Sequence, residues 1–530
     1  MKKILALFLS AVMLFALTAC VQMQPGEDDH TIIDPSKWGG HLNMASGLLS
    51  DQLDPSSVDA NDWADLVWES PLSRNADGSV APGVCEFELS EDQLTLKLWV
   101  REGVTFHDGS PVEIEDVVAS MLRRGTTMVG HYVVDYLVEE PTVDENGVAT
   151  FQFREFSKKT MGYIASVRPL IAVLPKEYVA FYPGYTGSSK AVYNENVFQA
   201  IGTGPYKVVG MQDGQWLDLE RYEGYVIGDG NLTGAAAPKR AYFDTIRFWK
   251  IANATAGVGS LLAGDIDAMQ VNLNSYYCDQ EKRKNLGETA LQGDTTLFLM
   301  FDTTSQKNQV HDDVNLRKAI CAAIDFPQLN KFAWFNGYSL GGSPCLDAAY
   351  YNDAWDTADY MGPANVELAK EYLSKSHYKA GDKLCYFDYD ASLAALLEGY
   401  LNAAGIEMEI ILLDPEVSDS SDITGWDFAF GRLNAGNSPS DISANAYNKA
   451  WVNQEKDVLY ETLCSTEPGS AEYMTAWNAM ADLFVGECVT VYVGTEIQWW
   501  SHHKDLVINY NGKQVYLWNS YWKNLEGHGK

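Results

Sequence analysis

Basic residues are scarce in this chain. Its 530 residues hold 38 Lys and Arg against 72 Asp and Glu, a formal net charge of −34. Phosphate backbones and anionic lipid surfaces are gripped by clustered cations, so this balance argues against a nucleic-acid partner and against electrostatic docking on a membrane. Acidity of this kind serves solubility at high local concentration. Histidine is scarce as well, nine in all, and scattered. The one adjacent pair, His502 and His503, points its side chains apart if it lies on a strand. The eight cysteines include no CxxC, so zinc spacing is missing. A calcium loop also fails: Asp144, Asn146 and Glu155 have ligand spacing, but Ala149 stands where the tight turn wants glycine. No metal ligands and no cofactor are expected. Beyond one N-terminal run, no segment is apolar enough to span a bilayer, and no short-period repeat is seen.

What is present begins with that run. Lys2 and Lys3 precede Ile4–Ala19, which falls short of the roughly 20 residues a bilayer requires and reads as a signal segment. It ends in Leu17-Thr18-Ala19-Cys20, which resembles a bacterial lipobox. Residues 1–19 are therefore expected to be a signal peptide, and Cys20 to carry lipid. Two or more acyl chains anchor durably. Residues 20–37, with Pro25, Gly26 and three consecutive acids, read as a tether. The expected location is the extracytoplasmic face of the cell membrane, held by lipid only. The seven other cysteines allow at most three disulfides, with buried free thiols expected for several.

The remaining length exceeds the roughly 250–300 residues one core supports, so two or more lobes are expected. At 46% apolar and 12% aromatic, the chain can fill them. Leu94, Leu96, Leu98 and Val100 alternate with polar neighbours, which predicts a strand. Ile114, Val117, Val118, Met121 and Leu122 mark one face of a helix, with Glu113, Glu115 and Asp116 at its positive end. Later, residues 384–390 read as a strand. Leu393, Leu396, Leu397, Tyr400 and Leu401 form a helical stripe closed by Gly405, and residues 406–413 alternate again. Strand, helix, strand at this spacing predicts a βαβ unit.

These pieces occur in an ordered set. The stretch CEFELSEDQLTLKLWVREGVTFHDGSPVEIEDVVASMLRR (85–124) resembles the signature of the family 5 extracellular solute-binding proteins of ABC importers. So do Leu53-Asp54-Pro55, IGTGPYKVVG (201–210), Leu219-Glu220-Arg221, FDTIRFWKI (243–251), GSLLAGDIDAM (259–269), DDVNLRKAICAAID (312–325), YLNAAGIEMEI (400–410) and WDFAFG (426–431). The resemblance implies an α/β, two-lobed periplasmic-binding-protein-like fold (type II, cluster C) with an extra subdomain in lobe I. Lobe I would cover 38–294 and 491–530, the subdomain about 62–190, and lobe II 295–490. The crossing segments would lie near Leu297–Phe301 and Val489–Val493. It also implies capture of a solute between the lobes, an oligopeptide or peptide-like molecule in the first instance, and delivery to ABC permease subunits by a monomeric protein without catalysis.

Candidate contacts follow. Ser46, Gly47 and Leu48, and the strand start at Thr203 and Gly204, hold family positions near the solute. Trp334, Tyr338 and Trp499 are aromatic candidates, although core packing is the ordinary fate of each. Peptide-binding relatives hold the free α-amine with an acid after the WDFA-like strand. Here Gly436 and Asn437 lie near that place, and the nearest acid is Asp441. This departure opens the alternative of a non-peptide solute: a nickel chelate, an oligosaccharide or an opine-like compound. Arg432 suits a carboxylate or phosphate, and Asn434 follows it. A receptor or chaperone-like surface role is another alternative. Gly337-Tyr338-Ser339-Leu340-Gly341 has the form of a hydrolase elbow, but Ser339 follows a helical segment where an elbow needs a strand. A glycine-rich loop is expected there, and a serine hydrolase is the remote alternative. His107-Asp108-Gly109 reads as a structural landmark.

Overall fold

The computed structural model describes residues 35–46, 55, 63–76, 78–124, 131–154, 158–166, 171–179, 200–212, 214–251, 253–271, 286–304, 308–341, 344–345, 348–388, 390–412, 426–434, 439, 451–466, 469–510 and 515–528. The signal segment, Cys20 and the tether up to residue 34 lie outside them, as do Gly47, Leu48, Cys278 and Asp441. Among the described residues no helix is long and apolar enough to cross a membrane. The chain forms two compact units. Unit 1 comprises Met1–Val271, Asp279–Thr289 and Trp500–Lys530, and unit 2 comprises Asn272–Cys278 and Ala290–Trp499.

Unit 1 opens with strand β1 (His41–Ser46). Within it a separate core forms around β2 (Cys85–Leu89), β3 (Thr95–Val100), helix α1 (Ile114–Arg124), β4 (Thr142–Val143) and β5 (Ala149–Gln152). The four strands make an antiparallel sheet in the order β2-β3-β5-β4. Alternation decides its faces: Leu96 and Leu98 are fully buried while Trp99 is exposed. The α1 stripe packs onto them through Ile114, Val117 and Met121. The acidic start of α1 is a cap, for an Asp116 carboxylate oxygen accepts from the Glu113 N–H at 2.8 Å. Asp144 likewise accepts from the N–H groups of Asn146 and Val148, at 2.9 and 3.0 Å, as the hinge of a hairpin.

The main sheet of unit 1 adds β6 (Tyr206–Gln212), β7 (Trp216–Arg221) and β8 (Thr245–Lys250), then α2 (Ala254–Ala263) and β9 (Ala268–Val271). Its order is β9-β1-β8-β7-β6. β1 runs parallel to β8 and β9, and the other pairs are antiparallel. α2 is the parallel crossover. Asn253 caps its start, and Gly264, at φ 82°, closes it in the left-handed conformation that glycine adopts freely.

The chain enters unit 2 partway along β10 (Leu286–Phe301). There follow α3 (Val314–Ala323), α4 (Phe326–Phe332), β11 (Tyr338–Leu340), α5 (Val366–Lys375), β12 (Lys383–Asp388), α6 (Ala391–Ala404), β13 (Glu407–Leu412), β14 (Phe428–Asn434), α7 (Gln454–Ser465), α8 (Ala471–Glu487) and β15 (Thr490–His503). The sheet order is β13-β12-β14-β10-β15, with β11 along β15. The expected βαβ unit is β12-α6-β13: its strands pair in parallel, Asp390 caps α6, and Gly405 ends it at φ 88°. Leu393, Leu397 and Leu401 are buried, which stabilises by roughly 1.5–3 kcal/mol each. Leu396, expected on that stripe, is exposed instead, because the core reaches only a narrow arc of the helix.

Residues 296–301 of β10 are buried on both sides. Leu297, Leu299 and Phe301 enter one core, and Phe298 and Met300 enter another with Trp355, Trp477 and Phe484. β15 behaves alike, with Val491 and Val493 in the first core and Tyr492 in the second. The stretches assigned to the crossings therefore lie inside unit 2. The chain passes between units at Thr289–Ala290 and Trp499–Trp500, five and nine residues away from the expected lobe limits of 294/295 and 490/491. Beyond β15, β16 (Leu506–Tyr510) and β17 (Val515–Trp522) form an antiparallel pair in unit 1.

Two signature residues hold unit 2 together through backbone groups. Asp427, at the head of β14, accepts from Gln309 N–H (3.0 Å) and Cys385 N–H (2.8 Å). Arg317 of α3 is almost fully buried and donates to the carbonyls of Val310, His311, Glu487 and Cys488 at 2.5–3.2 Å. Two of these end α8, where carbonyls lack helical partners and the dipole favours a cation. Described cysteines are free; Sγ of Cys321 and Cys488 lie 3.6 Å apart in the core. Arg317→Met is expected to lower the unfolding free energy by about 2–5 kcal/mol, with Arg317→Lys recovering only part. Urea denaturation reads this; an unchanged midpoint would show that those carbonyls find other donors.

Candidate functional site

The glycine-rich segment 201–206 of unit 1 is shaped by close backbone approach. A Cβ on Gly202 would lie 2.0 Å from the Val67 carbonyl oxygen, and one on Gly204 would lie 2.4 Å from that of Leu66. Only glycine permits this contact. His107 clamps the same segment. Its N–H donates to Gly202 O (3.0 Å), its Nε2 lies 3.0 Å from Gly204 O, and its Nδ1 accepts from Gly202 N–H (3.2 Å). This set requires the neutral tautomer with the proton on Nε2. Burial pushes the ring's pKa down to about 4, against the pull of the Gly204 carbonyl. The HDG and GTGPY motifs, about a hundred residues apart, are thus two halves of one clamp.

Thr203 is buried, and its hydroxyl donates to Glu69 Oε2 (3.2 Å). Glu69 also takes Lys239 Nζ (2.9 Å) and the Tyr225 hydroxyl (3.0 Å). Burial works to raise the Glu69 pKa, but Lys239, then Arg101 and Tyr225, outweigh it and hold the carboxyl below its ordinary range. Thr203 thus joins this buried network, and Gly204 packs against Leu66 beside it. Nothing in the sequence marks Glu69–Lys239 as a pair, because 170 residues separate them. Ser46 closes β1, buried, with its carbonyl accepting from Ile251 N–H at 3.0 Å.

Unit 2 brings three expected residues together. Trp334 packs edge-on against Tyr338 (centroids 5.5 Å) and Phe430 (5.1 Å), and the Arg432 guanidinium lies 6.0 Å from the centre of the Tyr338 ring. The strand period places Phe428, Phe430 and Arg432 on one face of β14, so that this face runs from fully buried Phe428 to exposed Arg432. Asn330 locks the loop below: its Nδ2 donates to Tyr338 O (2.8 Å) and its Oδ1 accepts from Tyr338 N–H (3.2 Å). Burial raises the Tyr338 pKa, with Arg432 opposing through charge and a hydrogen bond. An aromatic wall beside a guanidinium suits a planar anionic group next to apolar surface. Asn434 ends β14, with its side chain outside the described set. Trp499 is partly buried, and its indole N–H has no partner among the described residues.

The GYSLG stretch is a strand rather than the expected loop. Tyr338–Leu340 pairs antiparallel with Glu496, Thr495 and Gly494 of β15. Gly494 allows it, since a Cβ there would meet Ser339 O at 2.4 Å. Ser339 is exposed, and it follows a helix and sits within a strand. An elbow needs a strand before the serine and a helix after it.

Residues 79–454 match the family described as bacterial extracellular solute-binding proteins, family 5 middle. The chain belongs to that family. The oligopeptide-binding protein AppA of Bacillus subtilis is 27% identical over 236 residues, 44% of this chain and 39% of AppA, so the match spans about two fifths of that relative's length. Among solved structures, AppA from Bacillus subtilis in complex with a nonapeptide aligns with TM-score 0.68 at 16% identity, covering 92% of this chain and 100% of the other. NikA from Staphylococcus aureus in complex with Ni(L-His)2 aligns with TM-score 0.65 at 18% identity, covering 91% of this chain and 100% of the other. Both share the two-lobed α/β fold. In this family 5 protein the signature residues His107 and Arg317 satisfy backbone groups, and Gly202 and Gly204 permit a close backbone approach.

Since the folded pKa of His107, about 4, lies below its ordinary 6.5, the unfolded chain binds the extra proton more readily. Its contribution is complete above pH 6.5 and is lost as pH falls toward 4, amounting to about 3 kcal/mol. His107→Asn, which keeps a donor and an acceptor but does not titrate, is expected to flatten the stability–pH curve in that window. Equal slopes in both proteins would exclude His107 as the source.

Proposed function

We propose that this family 5 protein is a lipid-anchored, extracytoplasmic receptor that captures a peptide or peptide-like solute for an ABC permease and performs no covalent chemistry. The observation that carries the solute class is the Trp334–Tyr338–Phe430–Arg432 group, in which a guanidinium emerges from an aromatic wall. AppA, an oligopeptide-binding relative, supports the peptide reading. The end of β1 at Ser46 supports a second contact region, because open α/β sheets bind ligands outside the carboxyl ends of their strands. Anchoring rests on Cys20 following the signal-like run.

The basic side chain at the end of β14 also shapes the reading. Peptide recognition here is through the C-terminal carboxylate, held by Arg432, with the α-amine contributing little. A metal chelate with free carboxylates is the second reading, favoured by the same arginine and by the likeness to NikA.

Thermal shift with matched peptides tests this. Peptides with a free carboxylate are expected to raise Tm, N-acetylation to matter little, and C-terminal amidation to abolish the shift. Arg432→Met is expected to weaken binding by roughly tenfold or more. No shift with any peptide, together with a shift on a nickel–histidine chelate, would replace the peptide reading. Cys20→Ser is expected to move the protein from the membrane fraction to the medium, and unchanged fractionation would remove the lipid anchor.

A further inference from the structure

The end of the chain builds a cluster that solute capture does not use. β15 ends at His503, Asp505 lies in the turn to β16, and His528 follows β17. One ligand atom from each of His503, Asp505 and His528 lies within 4.8 Å of the others. All three belong to unit 1. Adjacent His502 points the other way, as strand alternation requires, with Nε2 3.3 Å from Thr289 Oγ1. His503 finds its partners from segments distant in sequence.

The rings are held in place. His528 stacks flat on Trp522, with centroids 3.7 Å apart and planes 5° from parallel. His503 stands edge-on to both, 4.8 Å from His528 and 5.6 Å from Trp522. The backbone is sewn down as well. His41 N–H donates to His528 O (2.8 Å), His503 N–H donates to Asp267 O (2.7 Å), and Trp522 Nε1 donates to His41 O (3.1 Å). Beside the rings lies a cavity of about 280 Å³, lined by His41, Asn43, Asp267, His503 and His528 among others. Asp267 brings a second, partly buried carboxylate, which accepts from Asn43 N–H at 2.7 Å.

We propose that His503, Asp505 and His528 bind a divalent transition-metal ion of the zinc or nickel class, which staples the C-terminal segment to unit 1. Two imidazoles and one carboxylate select borderline cations over calcium or magnesium, which take oxygen ligands. Three protein ligands leave a position for water, with the cavity next to it. His503 Nδ1 now accepts from Asp505 N–H (3.2 Å), so ligation gives up that one turn bond. The cluster adjoins His41, at the start of β1, and Ser46 stands at the other end of that strand, roughly 17 Å away. On the proposed reading, in which the solute lies beyond Ser46, the metal is a resident of the scaffold and not a transported solute.

Calorimetric titration of Zn²⁺ into the tag-free, chelator-stripped mature protein tests this, with Co²⁺ absorption as the readout of coordination. One equivalent is expected to bind at micromolar affinity or tighter, with cobalt bands of an imidazole–carboxylate site and a raised Tm. His528→Gln and Asp505→Asn are each expected to weaken binding by tenfold or more and to remove the Tm rise. Their metal-free Tm values report whether they fold. His377→Gln, at an exposed histidine elsewhere, is the control and is expected to bind as the parent does. Absence of stoichiometric binding, or binding undiminished in both folded cluster variants, overturns the proposal.

Discussion

Burial of residues 296–301 of β10 and 491–495 of β15 on both faces is the constraint that organises unit 2. A strand with one wet face can tolerate polar residues at every second position. A strand with none cannot, and each residue must suit one of two cores. Leu297, Leu299 and Phe301 fill the first, and Phe298 and Met300 the second. Shifting the register by one residue would exchange the two sets, so the pairing with β14 and the close approach of β11 follow from it. The continuous apolar character of these stretches is the sequence-level mark of that double burial.

The charged and polar signature residues work on the backbone. Arg317 answers carbonyls at the end of α8 and before α3; Asp427 answers N–H groups from two strands' surroundings; His107 answers both a donor and an acceptor in the segment that follows the inserted core. Buried backbone groups must be paired, and where helices and sheets leave some over, a side chain of fixed geometry supplies the partner. This explains why motifs with such reactive-looking residues need not perform chemistry. His107 is neutral and saturated, and Lys239 holds the buried Glu69 carboxyl below its ordinary range.

The surfaces proposed to bear function lie at the margins of these cores. Along β14, the side-chain face leaves the core at Phe428, passes Phe430 and ends at Arg432. A guanidinium at that position gains an aromatic neighbour in Tyr338 while staying exposed to solvent. At the far end of the chain, Trp522 plays a similar part for His528, giving a terminal segment an ordered ring to lie on.

Local order was legible without coordinates. The alternation at 94–100, the stripe at 114–122, and the strand–helix–strand run closed by Gly405 each depend only on neighbours a few residues away, so periodicity and caps reveal them. The fold class was implied by the resemblance of the ordered landmarks to the family, not by periodicity. Tertiary structure alone decided the rest. It placed the unit limits at Thr289 and Trp499, made GYSLG a strand, turned Leu396 outward, and assigned Thr203 to Glu69. It also gathered Trp334 with Arg432, and His503 with His528. These facts rest on contacts between residues far apart in the chain. Which distant side chains meet depends on how whole sheets and helices pack, and no local spacing encodes that.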